Sequence, residues 1–394
     1  MNKKKFFNKL NFMLILLGLF LYVSSSISYE SKSLYLSKSN NILPLTTSKN
    51  ANNEKKLINK YKETEKTSIK PTFSKTNEDL KIYAGGNPVG VKISTEGVIV
   101  VGYSNITIND KILESPGKLG GIELGDTIIK IDNFKIQDSK DLSNKLKKIN
   151  KQEVNIEINR KGEIVNKKIK TIKVAEDESI KIGLWVRDST AGVGTMTFYD
   201  VKNNKYGALG HPITDNDTNV LLNVKDGKLI KSSIISVKKG EKGAPGELKG
   251  IFISEENPLG NVKNNTQCGI FGEIDGNKNY FRNQNYLKVG FRDEVKEGKA
   301  QIITTIDEEG PKAYDIEIIK LLPQDIPGPK SMVIKVTDEE LLKKTGGIVQ
   351  GMSGSPIIQD KKIIGAVTHV LVNKPDVGYG IYIEWMLKDA GIIN

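Results

Sequence analysis

Residues 331–370 read SMVIKVTDEELLKKTGGIVQGMSGSPIIQDKKIIGAVTHV. Ser331–Val336 (SMVIKV) is a short strand, and Gly365–Val370 (GAVTHV) is another. Between them, Gly351-Met352-Ser353-Gly354-Ser355-Pro356 packs small residues and proline into a tight turn. The same texture runs upstream to Ile180. GTMTF (Gly194–Phe198), KLIKSSIISV (Lys228–Val237), GIFG (Gly269–Gly272), AQIITTI (Ala300–Ile306) and YDIEIIKL (Tyr314–Leu321) are short strands between Gly-, Asn- and Asp-rich turns. Long helical periods are nearly absent. Regularly spaced short strands predict an all-β barrel or sandwich, and residues 176–394 suffice for two small barrels.

The Gly351–Pro356 turn resembles the G-D-S-G-G-P segment of chymotrypsin-like proteases. A serine nucleophile needs a turn tight enough for its own N–H, and that of the residue two before it, to converge on one oxyanion. Those donors would be Gly351 and Ser353. The turn is not a G-x-S-x-G elbow, because its fifth residue is Ser355 and no strand–helix repeat surrounds it. Serine also needs a base, and the chain has two histidines, His211 and His369. His211 lies in the turn Gly207-Ala208-Leu209-Gly210-His211-Pro212-Ile213-Thr214-Asp215 and fits a His…Asp…Ser chain order. His369 follows the serine closely, on a strand that would line the cleft. His211 is therefore the expected base. Asp307, Asp315, Asp325 and Asp338 are all available as the orienting acid, and composition does not choose among them.

Ahead of these strands lies a smaller unit. VIVVG (Val98–Gly102) and DTIIKID (Asp126–Asp132) are strands, and Asp138 or Ser139 caps a helix reaching Ile149 with Leu142, Leu146 and Ile149 on its buried stripe. Val154, Ile156 and Ile158 alternate as a half-buried strand, and Ile169–Val174 is a second such stretch. The run Ser115-Pro116-Gly117-Lys118-Leu119-Gly120-Gly121-Ile122-Glu123-Leu124-Gly125-Asp126 resembles the PDZ signature. That resemblance covers residues 80–175 and implies binding of an extended peptide by strand addition. The binding strand is expected near Gly90, Val91, Lys92 and Ile93.

The 394 residues carry 59 Lys+Arg against 47 Asp+Glu. Residues 1–80 hold 14 Lys and 6 acidic residues, so most of the net +12 belongs to the tail. A basic nucleic-acid-binding domain is thereby disfavoured. The single cysteine, Cys268, excludes an intramolecular disulfide framework and a Cys-rich zinc site. Nothing calls for a cofactor or a metal ion. Lys3, Lys4 and Lys5 precede the apolar run Phe12–Val23, which is short for a membrane span of about 20 residues. Residues 1–29 are expected to be a signal peptide or membrane anchor. Residues 30–79, rich in Lys, Asn, Ser, Thr and Glu, are expected to be a flexible linker.

Three segments sharpen the picture: GVGTMTFYD…YGALGHPITD, residues 331–370, and GYGIYIEWML. Together they resemble the stage IV sporulation protein B family, exported PDZ-containing serine peptidases of spore-forming Firmicutes. The resemblance covers nearly all of residues 80–394. It implies a small PDZ domain followed by a chymotrypsin-like double β-barrel, and a catalytic triad of His211, Asp338 and Ser353. It also implies an extracytoplasmic enzyme acting between forespore and mother-cell membranes. Such an enzyme cleaves itself and the extracytoplasmic part of a membrane-bound regulator, triggering late sigma-factor processing. Expected partners are that protein substrate, a PDZ ligand peptide and, through the N-terminal segment, the membrane. The rival readings are a non-catalytic peptide-binding scaffold and a general extracytoplasmic quality-control protease. In the latter group PDZ modules follow the protease, whereas here the module comes first.

Overall fold

A computed structural model describes residues 80–149, 151–174, 180–275, 286–324 and 326–394. The expected signal or anchor at 1–29, the linker at 30–79 and Asp325 lie outside the described residues. The strands that build the site are, in chain order, β1 (Pro88–Tyr103), β2 (Thr127–Ile131), β3 (Glu153–Arg160), β4 (Glu163–Lys170) and β5 (Leu184–Asp200). They continue with β6 (Lys205–Ala208), β7 (Val224–Lys238), β8 (Gly260–Asn261), β9 (Gly269–Glu273) and β10 (Gly298–Thr304). Then follow β11 (Lys312–Leu321), β12 (Met332–Val336), β13 (Pro356–Gln359), β14 (Lys362–Leu371) and β15 (Lys374–Tyr382). Three helices matter: α1 (Ser139–Lys148), α2 (Glu339–Thr345) and α3 (Ile383–Asp389).

Two rings of strands close on themselves. In the second, β10 pairs with β11, β11 with β12, β12 with β15, β15 with β14, β14 with β13, and β13 again with β10. All six pairings are antiparallel. Alternation explains the inward set: Ile316 and Ile318 of β11 and Ile334 and Val336 of β12 are buried, and each alternates with a polar or half-buried residue. Ile302, Ile357, Val367 and Ile381 join them in one core.

The first ring runs β1–β5–β6–β9–β8–β7 and back to β1. Its narrowest seam is the single bridge between Gly260 and Ile274. Val89, Val91 and Ile93 of β1, Met196 of β5, Ala208 of β6, Leu229 of β7 and Ile270 of β9 fill it. Full closure leaves neither ring an open edge. The chain is therefore mostly β and carries the expected double barrel.

The expected boundary between the two units needs correction. Pro88–Thr95 do not belong to the small unit. They pair with Ser189–Thr195 of β5 on one side and Val224–Lys231 of β7 on the other, as a wall of the first barrel. Past a register shift the same two strands run on, pairing Ile99–Tyr103 with Leu184–Arg187. There they join β2, β3 and β4 in a separate module. Long-range pairing, which local pattern does not encode, sets that division.

The module has its own core of Val98, Val100, Ile128, Ile131, Leu142, Val154, Ile156, Ile158 and Ile169. Asp138 caps α1, its side chain accepting from the Asp141 amide at 2.7 Å. The signature run is held by Asp126. Its carboxylate, 1% exposed, accepts from the Glu123 amide at 2.7 Å and from both Nε (2.8 Å) and Nη2 (2.7 Å) of Arg160. Gly125, at φ +88°, supplies the left-handed turn that brings this carboxylate inward.

Candidate active site

A cleft of about 680 Å³ is lined by residues of both barrels, including Val193, Leu209, His211, Gly351, Ser353 and His369. His211 follows β6 of the first barrel, and Ser353 precedes β13 of the second. Leu209 and Gly210, immediately before His211, both stand at positive φ (+69° and +71°). For leucine that conformation is strained, and strain of this kind gathers at functional turns.

Thr195 of β5 ties the two sides together. Its amide donates to the Ser353 carbonyl at 2.9 Å, its hydroxyl donates to the Gly351 carbonyl at 2.7 Å, and its carbonyl accepts from the Leu209 amide at 3.2 Å. The approach is close enough to require glycine at 354. A Cβ there would sit 2.0 Å from the Thr195 oxygen, and Gly354 is at φ +96°.

The two amides expected to bind an oxyanion are unengaged: among the described residues neither Gly351 N–H nor Ser353 N–H donates a hydrogen bond. The planes that carry them are fixed. Gln350 O accepts from Leu248 N at 2.8 Å, and Met352 O accepts from Ser355 N at 3.0 Å. Because a trans peptide is planar, pinning each carbonyl also pins the N–H on its far side.

His211 Nδ1 lies 2.8 Å from Pro212 O. A carbonyl only accepts, so Nδ1 carries the proton and Nε2 keeps its lone pair. Burial pushes this imidazole below its ordinary pKa, and the Pro212 bond offsets part of that. The neutral, base-competent form thus dominates at neutral pH. The Ser353 hydroxyl donates to Thr368 O at 2.9 Å. His369, next along β14, has its ring 5.0 Å from that of His211 at a 45° tilt. Among the described residues, no cluster of three or more His, Cys, Asp or Glu side chains is placed to hold a metal ion.

A family model described as SpoIVB peptidase S55 matches residues 178–387, more than half of the chain. The chain belongs to the SpoIVB peptidase S55 family. A protein of Borreliella burgdorferi that carries a zinc-metalloprotease name is 35% identical over 83 residues, 21% of this chain. The chain spans only 18% of that relative's length. Among solved structures it is similar to the Rv3671c protease of M. tuberculosis. The inactive form matches at TM-score 0.30 and 12% identity, covering 50% of this chain and 84% of that one. The active form matches at TM-score 0.30 and 11% identity, covering 51% and 75%.

In this S55 peptidase the structure gathers His211, Gly351 and Ser353 around one cleft, and Asp338 is not among the residues that line it. Asp338 is the N-cap of α2: its carboxylate accepts from the Leu341 amide at 2.9 Å and the Asp315 amide at 3.3 Å. The other described aspartates weighed for that role are also engaged, Asp307 by Lys344 (3.0 Å) and Asp315 by Gln301 (2.8 Å). Gly90, Val91, Lys92 and Ile93 are corrected. They are paired on both sides, to β5 and to β7, so no edge remains there for strand addition.

Among the described residues, a stretch paired on one side only, to β1, lies instead at the start of β5, where Leu184 and Val186 line a groove of about 510 Å³ with Leu142, Ser143 and Leu146 of α1. Gly183, at φ +68°, opens that stretch. The Ile182-Gly183-Leu184 run was its only sequence signal. Arg187 lies in no motif, and Thr195 lies within GVGTMTFYD with nothing in that segment to single it out. Arg187 reaches the His211 loop, pairing with Asp215 and, at 2.7 Å, with Asp217. Burial would raise the Asp215 carboxyl. Hydrogen bonds from Thr218 and Arg187, and from the Asp217 amide, outweigh it and hold the carboxyl below the usual range.

Proposed function

We propose that this chain is an exported serine endopeptidase of sporulation signalling, with Ser353 as nucleophile, His211 as base, and the Gly351 and Ser353 amides as the oxyanion hole. One observation carries the chemistry: a serine on one barrel and an imidazole with a free Nε2 on the other line one cleft, beside two unengaged amides. Rotation about the Ser353 Cα–Cβ bond turns the hydroxyl from Thr368 O toward His211. Ser353 Oγ then attacks the scissile carbonyl carbon as its proton passes to His211 Nε2. The oxyanion takes hydrogen bonds from the two amides, each worth about 2.7–4 kcal/mol of barrier. The C–N bond breaks and the proton goes to the leaving amine. Water, deprotonated by His211, attacks the acyl-enzyme and frees Ser353. No cofactor enters this sequence of steps.

Family membership supports the finer reading. The substrates are this chain itself and the extracytoplasmic part of a membrane-bound regulator, in the space between forespore and mother-cell membranes. Residues 1–29 tether or export the enzyme. The groove between α1 and the start of β5 takes an extended peptide by strand addition, the mode of a PDZ module. Purified full-length chain incubated alone tests the enzyme: fragments should appear on a gel and vanish in Ser353→Ala. Self-cleavage persisting in that variant would overturn the nucleophile. The same substitution in the sporulating cell should sharply lower the spore yield, and a normal spore yield would overturn the signalling role.

A further inference from the structure

We propose that this peptidase selects its cleavage site by an uncharged aliphatic side chain on the acyl side of the scissile bond, seated on Ile348 and Val370. The proposal deepens the reading of Ser353 and His211 as nucleophile and base, and rests on it.

The chemistry decides which half of the cleft meets that side chain. His211 protonates the leaving amine, so the amine departs along the first barrel, where Val193 and Leu209 line the wall. The acyl half of the substrate then runs along the second barrel. There the lining comes from the loop ahead of β13 and from Thr368, His369 and Val370 of β14. β14 pairs with β13 only as far as Ala366, and His369 and Val370 pair with β15 alone. Their other edge is left for the substrate backbone.

Three observations describe the seat. First, it carries no charge. Among the described residues, no Asp, Glu, Lys or Arg lines the cleft. Gln350 is a neutral amide, and the Thr368 hydroxyl donates to Pro329 O at 2.7 Å. Burial, then the proximity of His211, then that of Lys330, hold His369 neutral down to about pH 4. Lys330 itself is exposed, 5.1 Å from the centre of the Tyr379 ring, and is not a lining residue. A charged side chain entering this seat would lose its hydration and find no counter-ion.

Second, the floor is apolar. Ile348 is 3% exposed yet lines the cleft, as does the half-buried Val370. A methyl added to Gly378, the partner of Val370 on β15, would stand 2.6 Å from Ile348 Cδ1. Ile348 therefore packs onto β15 next to Val370.

Third, the floor is fixed. The Ile348 amide donates to Pro375 O at 2.8 Å. A methyl added to Gly347, at φ +137°, would meet that same oxygen at 2.1 Å. A loop held so closely to β15 does not withdraw to admit a longer side chain. Such a floor sorts aliphatic side chains by size, since one methylene changes kcat/KM by about 10- to 200-fold.

The full chain would digest an equimolar library of synthetic peptides of mixed sequence, beside Ser353→Ala, with cut sites read by mass spectrometry. Thermal melts would accompany every variant. Expected are Ser353-dependent cuts after Ala, Val, Leu and Ile, with Asp, Glu, Lys and Arg depleted at least about tenfold at that position. Ile348→Ala lowers the floor, so kcat/KM for a peptide cut after Phe should rise about tenfold relative to its Val counterpart. Truncating a buried isoleucine also weakens folding, so a second variant is placed at the half-buried position. In Val370→Glu, Lys and Arg should become enriched on the acyl side. Wild-type cuts as frequent after charged residues as after aliphatic ones, or an unchanged preference in both variants, would overturn the proposal. Absence of any Ser353-dependent cut would instead overturn the serine-peptidase reading beneath it.

Discussion

The amide of Thr195 donates to the carbonyl of Ser353 at 2.9 Å, so the nucleophile loop of the second barrel hangs from a strand of the first. The same residue's hydroxyl holds Gly351 O, and its carbonyl holds the turn before His211. Thr195→Val keeps shape and backbone bonds and removes only the hydroxyl. Stability should fall by about 1 kcal/mol. kcat should fall about tenfold with little change in KM, because a displacement of a fraction of an ångström misaligns the attack. Thr195→Ser should restore both. Steady-state kinetics with parallel melts check this.

Gly354 is required for steric reasons, not for flexibility. An added methyl would meet the Thr195 oxygen at 2.0 Å and the Leu209 nitrogen at 2.5 Å, at a backbone φ of +96°. Gly354→Ala should therefore lose about 3 kcal/mol or more and all measurable activity. Gly192 lines the same cleft, yet its added methyl would meet nothing within 4 Å. Gly192→Ala should melt and turn over like wild type. Equal behaviour of the two variants would refute the close approach.

The two histidines predict two separate things to measure in acid. Burial lowers His211, so the acid limb of kcat/KM should lie below pH 6.5, the ordinary imidazole value. His369 is pushed down to about 4, by burial first and then by His211 and Lys330. The folded state therefore binds fewer protons than the unfolded one between about pH 6.5 and 4. Stability from this group is complete above the unfolded value, falls as the pH drops through that window, and levels off below it. His369→Gln removes this contribution, so its melting temperature should decline less than that of wild type between pH 7 and pH 4.5. A steeper decline in the variant would contradict the burial of His369.

Local chemistry was legible in the sequence. The Gly351–Pro356 turn and the Gly207–Asp215 turn declare themselves through glycine, proline and the rarity of histidine, and both reach the cleft. The Ser115–Asp126 run is readable because a short turn closes on its own Asp126. Alternation placed Val154, Ile156 and Ile158 inward, and they are buried. What escaped is set by distant partners. Nothing in GVKI tells that Gly90–Ile93 are flanked by β5 and β7, so an inner barrel wall resembles a free edge. Thr195 sits in an alternating strand like any other threonine. Asp338 is marked by its neighbours in sequence, whereas its hydrogen bonds are decided by the helix that starts after it.

Arg187 links the small module to the base. It stands on β5 one residue beyond Val186 of the groove and reaches Asp215 and Asp217 in the loop that follows His211. Its neighbour Asp188 accepts from the amide (2.7 Å) and hydroxyl (2.6 Å) of Ser139 at the start of α1. A peptide seated against Leu184 and Val186 would thus press on the strand that anchors the His211 turn. The Asp215 side chain is fully buried while that of Arg187 is 37% exposed, so solvent screens part of the pair. Arg187→Met should cost about 1–2 kcal/mol, mostly from leaving the Asp215 carboxylate without its cation. Arg187→Met with Asp215→Asn should recover much of that stability, since no unpaired charge remains. Activity should not recover in the double variant, because the tie between β5 and the His211 loop is still cut. Full recovery of kcat with stability would show that Arg187 acts on folding alone.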